Sequence, residues 1–287
     1  MSFILKPFSK WIMIVISMLL AGCLPALFQG TALNFPAYLN AIGHLFLQLL
    51  HPQRLTYQGY GGIRLPVFPD IFTPYFYSMK IFFAAFLLSF LAALIAMFLT
   101  LLLPRRLRQI LSFMIFLSES LPDIFFMVAL QVLVITLFQR TGFLMMNIAE
   151  DYHSQIYALP ILCLSVLPAC FFYRIMMLTV NEELRKDYSE LARSKGLTLR
   201  RILLIHIFRN LLIPILTDSK TIIWMMLSNL VVMEFLFGIH GLTSFIDASP
   251  TPAILTIGLL LIGTPFFLLF TLLSFLIDHF TGQRVVI

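Results

Sequence analysis

The sequence predicts an all-α, polytopic membrane protein with about six transmembrane helices. Three observations carry that expectation. Of the 287 residues, 60% are hydrophobic and 11% charged, whereas soluble domains average roughly 45–50% apolar and about 25% charged. One soluble core has no room for that much apolar surface. Apolar runs near the length of about 20 residues that a spanning helix needs recur about six times. The basic residues sit in short clusters between those runs, as the positive-inside rule expects of cytoplasmic loops. A formal charge of +6 otherwise admits a nucleic-acid partner, and this distribution excludes that class.

The first span is expected from about Trp11 to Phe28, and the second from about Met79 to Leu103. The third runs from about Ile110 to Phe138, and the fourth from about Tyr157 to Val180. The fifth covers about Leu211 to Phe237, and the sixth about Ala253 to Phe280. Lys6 and Lys10 precede the first span, and Arg105, Arg106 and Arg108 divide the second from the third. Arg185, Lys186, Arg193, Lys195, Arg200, Arg201 and Arg209 crowd the loop between the fourth and fifth, and Arg284 follows the sixth. The opposite loops hold Arg54, Arg64 and Arg140. This asymmetry places both termini in the cytoplasm.

Residues 1–78 read as the first transmembrane helix plus an external loop. Residues 79–287 read as a five-helix core with a cytoplasmic loop at 181–210. The external loop carries Pro36, Pro52, Pro66, Pro69 and Pro74 with Gly59, Gly61 and Gly62, so broken structure is expected, with a short amphipathic helix at Ala41–Leu50. Leu20-Ala21-Gly22-Cys23, following two lysines and an apolar stretch, resembles a lipoprotein signal. An uncleaved helix continuing through Leu24–Phe28 is the preferred reading, because cleavage would leave five spans and remove the lysine pair. Cys23, Cys163 and Cys170 all lie in apolar stretches and read as buried small residues. His44, His51, His153, His206, His240 and His279 show no i, i+4 pair and no H-E-x-x-H, so no metal and no cofactor is expected. There is no Ser-His-Asp arrangement and no G-x-x-x-x-G-K-S/T phosphate loop. The chain therefore reads as a non-enzyme that does not hydrolyse ATP itself.

The informative stretch lies in the cytoplasmic loop. Asp187 and Glu190 to Gly196 suit a short helix stopped by glycine, which permits the left-handed turn that reverses the chain. Thr198 suits the N-cap of a following helix. A compact helix-turn-helix is expected at the membrane surface, joined to the fifth span through Arg209–Pro214. The small Ala192 would allow close approach by another protein. A basic interfacial loop that only anchors to anionic lipid is the competing reading.

The order of residues here resembles the EAA loop of ABC importer permeases, whose core is matched by Glu190, Ala192 and Gly196. The dipeptide and oligopeptide branch of that family adds further positions, matched by Asp187, Tyr188, Arg193, Lys195, Arg201, His206, Arg209, Asn210 and Pro214. A second likeness to peptide permeases lies at Val231–Leu242, through Glu234, Phe237, Gly241 and Leu242. The resemblance covers about residues 80–280. The family's A-P-G-D-P stretch has no counterpart near Ala26–Thr31. The resemblance implies the permease fold of a type I ABC importer in a bacterial inner membrane. It implies a second permease subunit, two ATP-binding cassette ATPase subunits, an external substrate-binding protein and a lipid surround as partners. It implies that Asp187, Glu190, Ala192, Arg193, Lys195, Gly196 and Leu197 form a coupling knob seated on an ATPase subunit, which hydrolyses the ATP. The implied cargo is a di- or oligopeptide, with nickel chelates or another small solute as alternatives. A stand-alone secondary transporter or a scaffold without transport remain the rival classes; no internal repeat supports the first.

Ionisable groups at membrane depth face a cavity or a partner. Glu119 and Asp123 on the third span, Arg174 on the fourth, Asp218 and Lys220 on the fifth, and Glu234 near its outer end qualify. Glu119 and Asp123 are four apart and so expected on one helix face, with Pro122 kinking the helix between them. Glu119, Asp123 and Glu234 are candidates for the translocation path. The alternative is structural pairing with Arg174, Lys220 or a second permease subunit.

Overall fold

The computed structural model describes residues 2–29, 32–59, 62–144, 146–150, 154–203 and 207–281. His153, His206 and Arg284 fall outside the described residues, as do the side chains of Lys6, Arg105, Arg200, Arg209 and His279. The fold is helical. Among the described residues five stretches are long and apolar enough to cross a membrane: Val67–Leu102, Asp123–Thr141, Ala158–Glu183, Asn210–Phe237 and Pro252–Leu272. A sixth long helix, α1 (Ser2–Gly22), occupies the place of the expected first span. It stops at Gly22 rather than continuing to Phe28. Cys23 forms a turn, and Pro25 lies in the first turn of the separate helix α2 (Leu24–Leu27), where its missing N–H breaks nothing.

The chain folds as two compact units. The first comprises Met1–Ser78 and His240–Ile287, and the second Met79–Ile239.

In the first unit the loop expected to be broken structure is built in some detail. Strands β1 (Phe28–Gln29) and β2 (Ala32–Leu33) pair antiparallel. Helix α3 (Phe35–Leu50) follows, starting six residues before the expected Ala41; the Asn34 side chain caps it by accepting from the Ala37 N–H at 3.0 Å. A hairpin of β3 (Thr56–Gln58) and β4 (Arg64–Pro66) leads into α4 (Val67–Asp70). Ser249, after α12 (Leu242–Ala248), holds the hairpin by accepting from the Gln58 N–H and donating to its carbonyl, both at 3.2 Å. The core gathers Cys23, Leu45, Leu55, Val67, Ile71 and Ile254, with Cys23 fully buried as expected. Helices α1 and α13 (Pro252–Thr281) pack through glycine. A Cβ on Gly22 would lie 1.9 Å from the Thr256 hydroxyl, and one on Gly263 would lie 1.8 Å from the end of Met18. Small residues set that approach, as in membrane helix pairs generally.

The second unit contains most of α5 (Phe72–Leu102) and the helices α6 (Arg105–Glu119), α7 (Asp123–Thr141), α8 (Ala158–Glu183) and α11 (Phe208–Phe237). Helix α8 is its centre, packing on α6, α7 and α11. Phe172 is fully buried and meets Phe86 and Phe90 edge-on at 5.6 and 5.7 Å. Tyr173 donates to the Thr100 hydroxyl at 3.2 Å, tying α8 to α5. Pro168 and Pro214 sit inside α8 and α11 without ending them, a tolerance that membrane helices allow.

The expected third span is two helices, not one. α6 ends at Glu119, and α7 starts at Asp123 after a break at Ser120–Pro122. Pro122 has no N–H to extend α6, and it disfavours the helical region for Leu121. It adopts φ −61°, ψ 143° and stands before α7 as its N-cap residue. The break falls on the polar stretch Ser118-Glu119-Ser120-Leu121-Pro122-Asp123, which separates the apolar runs on either side.

Candidate functional site

The loop at residues 181–210 folds as a helix, a glycine turn and a second helix. α9 (Asp187–Ser194) is followed by Gly196 at φ +77° and then by α10 (Leu199–Ile202). The left-handed turn costs a glycine little, and a Cβ there would meet nothing within 4 Å. Gly196 donates its N–H to the Arg193 carbonyl at 2.9 Å, and Leu197 to Ala192 at 3.2 Å, closing the helix end. Thr198 stands at the start of α10, where its carbonyl accepts from Arg201 and Ile202.

Helix α9 is two-sided. Ser189 and Ala192 are buried, while Asp187, Glu190, Arg193, Lys195 and Gly196 are exposed and Leu197 is half-buried. The small Ala192 therefore serves close packing within this chain rather than close approach from outside. The apolar residue turned outward is Leu191, 57% exposed, which the motif does not single out.

Sequence reasoning also missed the anchor of the knob. Glu183, the last residue of α8, is 6% exposed. Its Oε1 meets the Lys186 ammonium at 2.7 Å. Its Oε2 accepts from the Tyr188 hydroxyl on α9 and from Asn210 Nδ2 on α11, the latter at 3.1 Å. One carboxylate thus joins the end of the fourth span, the knob and the start of the fifth. Burial and the bond to Glu183 push the Tyr188 phenol up to about 12, so the phenol stays a donor at any physiological pH. The signal in the sequence is faint: an acid in a lysine- and arginine-rich loop reads first as a solvated charge.

The intramembrane candidates separate. Glu119 Oε2 meets Arg174 Nη1 of α8 at 2.7 Å, and the Glu119 side chain is 6% exposed. Its Oε1 is buried without a hydrogen bond from the described residues. Asp123 instead accepts a hydrogen bond from Asn229 Nδ2 of α11. The expectation of one shared helix face for Glu119 and Asp123 is therefore overturned. The Pro122 break puts them on different helices, turned toward different neighbours. Glu234 lies fully buried in the last turn of α11, below the Gly238 cap at φ +61°. At 100° per residue it is about 140° around α11 from Asn229, so it and Asp123 do not share a face either. Among the described residues no cluster of His, Cys, Asp or Glu has the make-up of a metal site.

Residues 85–287 match the family described as binding-protein-dependent transport system inner membrane component. Among individual relatives, the di/tripeptide transport system permease protein DppB of Pseudomonas aeruginosa is 30% identical over 153 residues. That stretch is 50% of this chain and 44% of the relative. The dipeptide transport system permease protein DppB of Haemophilus influenzae is 34% identical over 88 residues, 31% of this chain and 26% of the relative. Its counterpart in Lactococcus lactis is 34% identical over 93 residues, 32% and 31% of the two chains. The chain thus aligns with less than half the length of each of these relatives.

Proposed function

Since the chain belongs to the family of binding-protein-dependent transport system inner membrane components, we propose that it is a permease subunit of an ATP-driven importer whose cargo is a di- or oligopeptide. The cargo is carried over from the transport names of its relatives. The subunit supplies half of the translocation path, and a second permease subunit supplies the rest. Two ATPase subunits hydrolyse the ATP, and an external binding protein delivers the substrate. Both termini lie in the cytoplasm, as the clusters of arginine and lysine favour.

The observation that carries the mechanism is the knob and its anchor. The exposed side of α9, with Asp187, Glu190, Leu191, Arg193, Lys195 and the Gly196–Leu197 turn, seats on an ATPase subunit. Motion there passes through Tyr188 and Glu183 into α8 and, through Asn210, into α11. Ala192 keeps the knob tight on its own chain. Glu119, Asp123 and Glu234 are the proposed polar groups of the path, the first two held by Arg174 and Asn229 until substrate or a moving helix displaces those partners.

Co-purification is the direct test. The chain is expected to bring an ATP-binding subunit with it from detergent extracts. Gly196→Asp should abolish uptake and that association while leaving membrane insertion unchanged. Unaltered uptake by Gly196→Asp would refute the coupling role.

A further inference from the structure

A groove runs between α6 and α8 in the second unit. Two cavities of about 630 and 420 Å³ make it up, and Arg108, Gln109, Leu178 and Asn181 line both. The first is completed by Glu182 and Arg185, so its walls are charged and carboxamide groups. The second is completed largely by apolar side chains, among them Ile115, Phe116 and Met177, and it ends on the Glu119–Arg174 pair. The lining therefore changes from polar to apolar along one continuous path.

The charges favour an anion at the polar end. Among the described residues that line it, Arg108 and Arg185 face the carboxylate of Glu182 alone; Arg174 lines only the apolar end and is paired with Glu119 at 2.7 Å. Arg108 donates one Nη to the Leu101 carbonyl at 3.1 Å, which fixes its head at the mouth. Its Nε is buried without an acceptor among the described residues.

We propose that this groove holds one anionic phospholipid of the cytoplasmic leaflet. Its phosphate lies at Arg108 and Arg185, and an acyl chain lies along Ile115, Phe116 and Met177. A free phosphate would fill the first cavity and leave the apolar one without an occupant. A zwitterionic lipid would fill both but leave the two guanidiniums without a compensating net charge. The polar end borders Arg185, two residues beyond Glu183, so the lipid would brace the base of the knob. The proposal does not depend on the cargo or on the ATPase partner, and it stands or falls separately from them.

The test is native mass spectrometry of the full-length chain, with whatever subunits accompany it, incubated with phosphatidylglycerol or chain-matched phosphatidylcholine. The wild type is expected to retain one phosphatidylglycerol more than Arg108→Gln/Arg185→Gln, with affinity about 30-fold higher from two lipid-facing charges. Leu178→Trp keeps both charges and fills the shared part of the groove, and it should lose the same lipid. Leu178 is 57% exposed, so this variant decides the matter should the double variant fail to fold. Retention of the lipid by either folded variant overturns the proposal. So does equal retention of phosphatidylcholine by the wild type, or displacement of the lipid by millimolar inorganic phosphate.

Discussion

Removing the Glu183 carboxylate should release α9 from the helices that carry it. In Glu183→Ala, the Tyr188 hydroxyl and the Asn210 amide lose a charged acceptor. Hydrogen bonds to charged groups contribute roughly 1.5–3 kcal/mol each. Both donors are half-buried, which selects the low end and a sum of about 3 kcal/mol. The Lys186 pair adds at most about 0.5 kcal/mol, because that side chain is 55% exposed and screened by water. Three kcal/mol is about 150-fold in the ratio of docked to undocked α9. Ser189 provides the reporter. It is fully buried, and its hydroxyl has no hydrogen-bond partner among the described residues, so a thiol fits there at little cost. In Ser189→Cys the alkylation rate follows the population of the undocked knob. Adding Glu183→Ala should raise that rate by about two orders of magnitude, read at position 189 by peptide mapping, which separates it from the native Cys23, Cys163 and Cys170. A change below about threefold would show that something other than this carboxylate holds the knob.

Three other outcomes are expected. The Tyr188 phenol ionises near 10 when unfolded and at about 12 in place, so its stabilisation is complete below pH 10 and lost as the pH rises through 12. The ratio of alkylation rates at position 189 between Tyr188→Phe and its parent should accordingly exceed one at neutral pH and fall toward one near pH 12. Gly22→Ala should lower the midpoint of thermal unfolding by several degrees, through overpacking of about 1–3 kcal/mol against the β-branched Thr256. Gly263→Ala meets only the flexible end of Met18 and should cost less, so the two melting curves should rank in that order. Leu191→Asp should weaken ATPase association at least tenfold in pull-down titrations while leaving alkylation at position 189 unchanged, because Leu191 is outward-facing.

What was legible in the sequence was what is local. The α9–Gly196–α10 reversal depends on one glycine and its immediate neighbours, so its geometry is written in consecutive letters. The helices α5, α8, α11 and α13 declare themselves by apolar length. The break at Ser120–Pro122 was harder to read, since Pro168, Pro214 and Pro265 occur inside helices that survive them. What sets Pro122 apart is its neighbours Ser118, Glu119, Ser120 and Asp123, whereas the other three prolines sit in largely apolar surroundings. Glu183 was illegible for a different reason: its decisive donor, Asn210, is 27 positions away and meets it only after α8 and α11 pack. The same holds for Ala192, whose inward direction depends on what the loop rests against rather than on the motif that contains it.

The interruption between α6 and α7 also constrains the surroundings of the molecule. At 1.5 Å per residue the 15 residues of α6 place it about 22 Å from the arginine-rich end; were α6 to stand along the membrane normal, that depth would fall within a hydrocarbon layer about 30 Å thick. A helix that stops and restarts exposes carbonyl and amide groups that hydrocarbon has no means to satisfy. Ser120, Leu121 and Pro122 are all open to the outside of this chain. In that setting lipid tails are the one medium that the Ser120–Pro122 backbone cannot face, and the acyl chain along Ile115 and Phe116 stops short of it. There it would look onto water or onto the polar flank of another polypeptide, so a wet side would be marked by a gap in the backbone ladder beside Glu119 and Asp123.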